Sequence, residues 1–515
     1  MNHFIRISFL LLIVTNAVAQ RNSFVDVEAY HTSAEKKLFE WKGDAYEYSS
    51  KKNLLTIGLK NKAPFQLTLE AETKAKVGEP YQFITIKNSL WLISKWEYKE
   101  SMKAYCEFVA QRVDIANQQF DTDPISICKK AMFGYAKTSV DYEFVYECQN
   151  LIMEISQNEE YIAVAYSTGG EHTSSYYQKL RILDSKFEIV DEYTVSTYKF
   201  NTTPGLINAF KVANTGDVVG IYKVSNFAED KWVMPNKPKD PTYVVSKFSK
   251  GEQTILEDAP LIYDYQTNRF IVEGNIIYYA TISNADGEVN SVITAYNMSS
   301  GQKKVVKKRM TLEELIRYNI PKEKEHLTKK IQRKDGRTNI FFQLIDFYKD
   351  ESGFNLITQK CAVTDNGTQE IYETIMSDHF EDMDSKGTRA YLPTRSITSS
   401  SNNLVRYGMH TRYFIKAFKH DGVNYVLFNQ EKVNVNSRFN ENQKPRALTT
   451  GSSDVALCIG RLKPGEEYQV AEITSTKRFG KVDILPSDLV ISISDKHYIS
   501  INTKKNNVLF YLDWK

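Results

Sequence analysis

Short aromatic and β-branched runs, separated by turns that favour positive φ, recur along this chain and restrict its fold more than any other feature. Residues 161–166, 218–222 and 276–282 are such runs, each of strand length, in a chain that holds 32 Tyr and 27 Phe. These side chains suit a pleated, half-buried surface better than a helix. Asn284-Ala285-Asp286-Gly287, Asp365-Asn366-Gly367 and His420-Asp421-Gly422 lie between neighbouring runs. Asn or Asp followed by Gly tolerates the φ angles of a tight hairpin, so consecutive antiparallel strands are predicted.

Strand clusters fall near 44–116, 145–195, 205–258, 261–310, 337–378, 385–435 and 452–515, about seven units of blade length. So many hairpins would expose sheet edges, and a closed ring leaves only short ones. The fold expected is therefore all-β, a β-propeller of about seven blades with a short helical insertion; tandem β-sandwich domains are the alternative. Residues 508–512 form a strand beside the C-terminus, placed to latch the last blade onto the first. The domain map is a leader over 1–19, an N-terminal extension over 20–43, and the propeller over 44–515.

The leader has Arg6, an apolar run over 7–14, and Ala17-Val18-Ala19 before Gln20. A cationic head, a short apolar segment and a small-x-small exit make a secretory signal, and the run is too short to span a bilayer. No later apolar stretch reaches spanning length, so the exported chain is expected to carry no membrane-spanning segment. A formal charge of +3, from 66 basic and 63 acidic residues, gives no general attraction to polyanions, and nucleic acid is not implied. Cys106, Cys128, Cys148, Cys361 and Cys458 lack the close pairing of a zinc ribbon. Buried free thiols are the reading adopted, with one disulfide among the first three as the alternative.

One stretch departs from the strand texture. Thr311-Leu312-Glu313-Glu314 is a capping box, Pro321 should stop its helix, and residues 322–334 suit a second. The surrounding segment, 303–337, is basic. Its Lys307, Lys308, Arg309, Arg317, Lys329, Lys330 and Arg333, with Trp232 beside the proline-rich loop 234–241, are the candidate partner-binding residues. A solvated insertion between blades is the competing reading of the same charges.

The familiar catalytic signatures do not occur in the sequence. Gly-x-Ser-x-Gly, His-Glu-x-x-His and the P-loop pattern are absent, and Ser33-Ala34-Glu35-Lys36 lacks its companion motifs. Asp378, Glu381, Asp382 and Asp384 cluster without the order of a calcium loop. His172 stands alone in a polar loop. No cofactor, metal or catalytic residue is assigned.

The Ala-Val-Ala exit before Gln20, the degenerate strand units and the richness in Tyr, Lys and Asn together resemble exported β-propeller proteins of Gram-negative bacteria. That resemblance implies a periplasmic, outer-membrane-associated or extracellular location. The function expected is a non-enzymatic binding or scaffold protein of the cell envelope, with a protein partner, such as an accessory subunit of an outer-membrane complex. The alternatives are a glycan-active hydrolase or lyase with carboxylates at the central channel, or a carbohydrate-binding propeller using Trp91, Trp96 or Trp232.

Overall fold

The turn chemistry produces the expected hairpins. Ile415–His420 and Val423–Glu431 pair across Asp421 and Gly422, whose φ values of 45° and 73° are those the Asp-Gly pair was expected to adopt. Ile276–Ala285 likewise pairs with Glu288–Asn297, and Gly353–Val363 with Gln369–Phe380. The computed structural model describes residues 24–515 apart from 34–36, 70–76, 137–143, 170–175, 196–206, 225–241, 257–269, 330–339, 401–414, 436–446, 449–454, 476–496 and gaps of one to five residues.

Seven sheets of four or five strands follow one another among the described residues, antiparallel except where the short strand Ala447–Leu448 adds in parallel to the edge of the sixth. They span 37–68 (blade 1), 77–131 (blade 2), 152–194 (blade 3), 207–255 (blade 4), 270–310 (blade 5), 340–400 (blade 6) and 415–475 (blade 7). In each, the strands lie side by side in sequence order. The first strands of blades 1 and 2 touch, and so do those of consecutive blades from 3 to 7, which places them round the axis. An eighth sheet is shared by the chain ends: His497–Asn502 pairs with Asn506–Trp514, which pairs along its length with Val25–Ser33. The expected latch is therefore real, and residues 25–41, set apart in sequence as an extension, supply strands to blades 8 and 1.

Alternate side chains of each blade face opposite neighbours. Leu92 packs on Leu55 and Ile57 of blade 1, whereas Ile93 packs with Ile162 and Val164 of blade 3. The same division gives Leu356 to blade 5 and Ile357 to blade 7. Phe428 faces blade 6, and Leu427 packs with Val25, Phe510 and Leu512 of blade 8. Burial on both faces explains why the strands read as continuous apolar runs. Each wholly buried Leu, Ile or Phe adds about 1.5–3 kcal/mol. A sheet packed between two successive neighbours is a propeller blade, so the chain is an all-β propeller and not a row of sandwiches.

Several boundaries differ from the sequence reading. The unit 44–116 spans blade 1 and much of blade 2, and the break at 378–385 divides blade 6, whose fourth strand is Arg389–Ser400. Lys303–Met310 is the fourth strand of blade 5, so the insertion expected near 303–337 begins only at the helix Leu312–Ile316. Trp91 and Trp96 are core, 4% and 2% exposed, and offer no platform. Cys106 is disulfide-bonded, whereas Cys128 and Cys458 are buried free thiols. Among the described residues no helix is long and apolar enough to cross a membrane.

Candidate functional site

The capping box anchors the most developed polar site among the described residues. Thr311 Oγ1 accepts from Glu314 N at 3.2 Å, and the Glu314 carboxylate accepts from Thr311 N at 2.6 Å. That carboxylate also accepts from Tyr391 Oη at 2.5 Å and pairs with Arg389 Nη1 at 3.0 Å. Arg389 continues inward, its Nε 2.5 Å from Asp378 Oδ1. Asp378, fully buried between blades 5 and 6, accepts from Ser291 Oγ as well. A five-residue helix thus joins a buried ionic chain through one glutamate.

The ionisation of this chain is set by its pairing. Burial alone would raise the Glu314 carboxyl, yet hydrogen bonds from Tyr391 and Thr311 with the nearby Arg389 bring it below its ordinary value. Burial would lower the Arg389 pKa; the adjacent Asp378 charge outweighs that and raises it. The Tyr391 hydroxyl is pushed up, first by burial and then by Glu314, so it keeps its proton and donates. Charge is fixed here, and buried pairs of this kind hold only while both partners remain.

Outside the helix the chain turns sharply. Tyr318 takes φ 65°, a left-handed conformation that is rare for a bulky side chain. The turn is held from within the protein by Lys360, 1% exposed, whose Nζ donates to Leu315 O at 2.8 Å and Arg317 O at 3.2 Å. These are carbonyls the short helix leaves without an intrahelical partner.

Arg317 and Tyr318 so placed line a cleft of about 590 Å³ together with Tyr391 of blade 6 and with Glu466, Glu467 and Tyr468 from the turn 463–468 of blade 7. The Arg317 guanidinium lies 4.8 Å from the Tyr391 ring centre and 6.0 Å from that of Tyr318. The Tyr318 ring is 6.1 Å from Tyr468, edge to face, and 6.4 Å from Tyr391. Among the described residues Arg317 forms no ion pair, whereas Glu466 is held by Arg461 at 3.1 Å and by Lys463. The volume is that of a small-ligand site, and the lining combines aromatic faces with convergent polar groups.

Of the candidate binding residues, Arg317 alone lines this cleft. Lys308 lies half-buried beneath it, donating to Thr388 O at 2.8 Å, and burial lowers its pKa. Lys307 and Arg309 face solvent on blade 5, Arg309 paired with Glu288 at 3.1 Å. Lys329 is exposed and paired with Glu325 at 2.6 Å, one helical turn away. Lys330, Arg333, Trp232 and His172 lie outside the residues whose side chains are described. Of the acidic cluster, Asp378 turns inward to Arg389 while Glu381, Asp382 and Asp384 stay on the surface turn. Tyr318, Tyr391, Tyr468, Arg389 and Lys360 escaped the sequence reading, because they come from three blades.

Three carboxylates of the axial strands are tied to a lysine of the next blade. Glu154 meets Lys211 at 2.9 Å, Glu273 meets Lys349 at 2.6 Å, and Asp350 meets Lys419. These pairs tether blades 3 to 4, 5 to 6 and 6 to 7, and no two axial carboxylates pair with each other among the described residues.

No family model matches the chain, and no curated protein matches it. Similar solved structures include the WD40 domain of SCAP from fission yeast, at 8% identity and TM-score 0.35, covering 95% of this chain and 98% of that one. The β-propeller domain of the Trilobed protease from Pyrococcus furiosus is similar at 9% identity and TM-score 0.30, covering 87% and 98%. The polysaccharide lyase Uly1 is similar at 10% identity and TM-score 0.37, covering 95% and 99%. Likeness at this level does not reach any residue of the cleft.

Proposed function

We propose that the protein is exported and serves in the cell envelope as a non-enzymatic binding or scaffold protein, with the cleft between blades 5, 6 and 7 as its recognition site. The observation that carries this reading is the preorganised lining of the cleft: buried Lys360 holds the backbone carbonyls of Leu315 and Arg317, Tyr318 packs on Tyr391 and Tyr468, and Tyr391 is held by Glu314. Side chains fixed before binding lose little freedom when a ligand arrives, which is where recognition sites gain affinity. The leader over 1–19 and the disulfide at Cys106 both support an oxidising, extracytoplasmic location. An outer-membrane assembly is the sharper form of the proposal. Affinity capture from envelope extracts tests it, with Tyr318→Ala/Tyr468→Ala as the comparison. Retention of an envelope component by the unaltered protein and its loss from the variant is expected. Recovery of the protein alone, or equal retention by both, overturns the reading, and turnover of a bound glycan would favour the enzymatic alternative.

A further inference from the structure

We infer that the cleft takes a saccharide bearing a carboxylate, an acidic sugar, with Arg317 as the group that selects the charge. This rests on the recognition role proposed above and names the ligand class. The argument begins with which charges the cleft has left to offer. Arg389 is committed to Asp378 and Glu314, so it attracts nothing further. Arg317 forms no ion pair among the described residues, is exposed, and lies over the Tyr391 ring at 4.8 Å from its centre. A guanidinium presents a planar fork that matches a carboxylate in two parallel hydrogen bonds.

The carboxylates of the lining limit what else can enter. Glu467 lines the same space with Glu466, whose charge Arg461 and Lys463 balance, so a dense polyanion or an acidic protein surface meets carboxylates as well as Arg317. A ligand with one carboxylate on a ring rich in hydroxyls satisfies both kinds of group. Its acid group reaches Arg317, and its hydroxyls donate to the glutamate oxygens. The three tyrosines add what a sugar ring also needs, since each joins an apolar face to a polar hydroxyl. Tyr318 packs against both of the others, at 6.4 Å from Tyr391 and 6.1 Å from Tyr468 between ring centres, so the three form one aromatic cluster in the lining of the cleft.

Calorimetric titration of the full exported chain tests the assignment with three acidic probes: galacturonate, glucuronate and sialyl oligosaccharides. Neutral galactose oligomers and hexaglutamate serve as controls. At least one acidic saccharide should bind, and Arg317→Gln should weaken it about ten- to hundredfold, the weight of one charge-assisted interaction. Neutral oligomers should bind correspondingly more weakly, and hexaglutamate should not compete. Binding of none of the acidic saccharides, equal affinity for neutral and acidic probes, competition by hexaglutamate, or an unchanged Arg317→Gln affinity each overturns it. Arg317 is exposed, so the variant keeps its fold, and an unchanged unfolding midpoint verifies this. Should the saccharides fail while envelope capture still depends on Tyr318 and Tyr468, the recognition role stands and only the ligand class falls.

Discussion

At the residue scale the most informative group is Lys360, a fully buried ammonium on a central strand of blade 6 that reaches the end of a helix from another blade. Two opposing effects decide what its removal does. Replacing a buried charge by a hydrophobe of similar volume relieves desolvation. Against this, Leu315 O and Arg317 O lose their donor, and an orphaned buried polar group costs about 1–3 kcal/mol. Because the charge already has those carbonyls as partners, the orphaned oxygens should win. Lys360→Met is expected to lower the unfolding free energy by that order, and the urea midpoint with it, and to weaken cleft binding, since the Arg317–Tyr318 turn loses its internal support. An unchanged midpoint would show that the carbonyls find water instead.

At the element scale the blades are joined by apolar faces and, at the ends of the axial strands, by ion pairs. Asp350 illustrates how these depend on pH. Burial would push its carboxyl up, yet hydrogen bonds from Lys419 and Ser352 bring it down to about 2 from 3.8. A depressed carboxyl contributes stability that is fully present above its unfolded value and lost as pH falls through the folded one. Glu314, also lowered, acts in the same direction. Stability should therefore decline between about pH 4 and pH 2, and Lys419→Met should flatten part of that decline. Urea unfolding across that range measures both, and an acid limb that is unaltered in the variant would remove the tether from the account. The elements legible in sequence were those with local causes. The Asp421-Gly422 hairpin and the Thr311–Glu314 capping box depend on neighbours in the chain, and both stand where expected. The boundary at 378–385 was misplaced because the long turn 381–388 lies inside blade 6, where Gly387 at φ 130° brings the chain against His379.

For the whole molecule, closure depends on Val25–Ser33 pairing with Asn506–Trp514. A ring with its first and last strands in one sheet cannot open at that point without losing the pairing and the cluster of Val25, Leu427, Phe510 and Leu512 together. Deleting residues 25–33 should leave the edge of Asn506–Trp514 unpaired and promote association, as exposed edges do. Size-exclusion profiles that stay monomeric, with an unchanged thermal midpoint, would show that closure is held elsewhere. The cleft belongs to this scale too. Arg317 and Tyr318 are adjacent in sequence, but Tyr391 and Tyr468 lie some 70 and 150 residues further on, and only the packing of blade 6 against blade 7 brings the four together.

Strand content, hairpin turns, the helix start and the need for a closed arrangement were determined by the sequence itself, since each follows from side-chain shape, local φ preference or the number of edges to be hidden. Blade number, the sharing of the last sheet between the chain ends, and the cleft were decided by tertiary structure. Their causes are contacts between distant segments, such as Lys360 under Arg317 and Leu427 against Phe510, and the order of residues along a chain does not reveal which distant segments will meet.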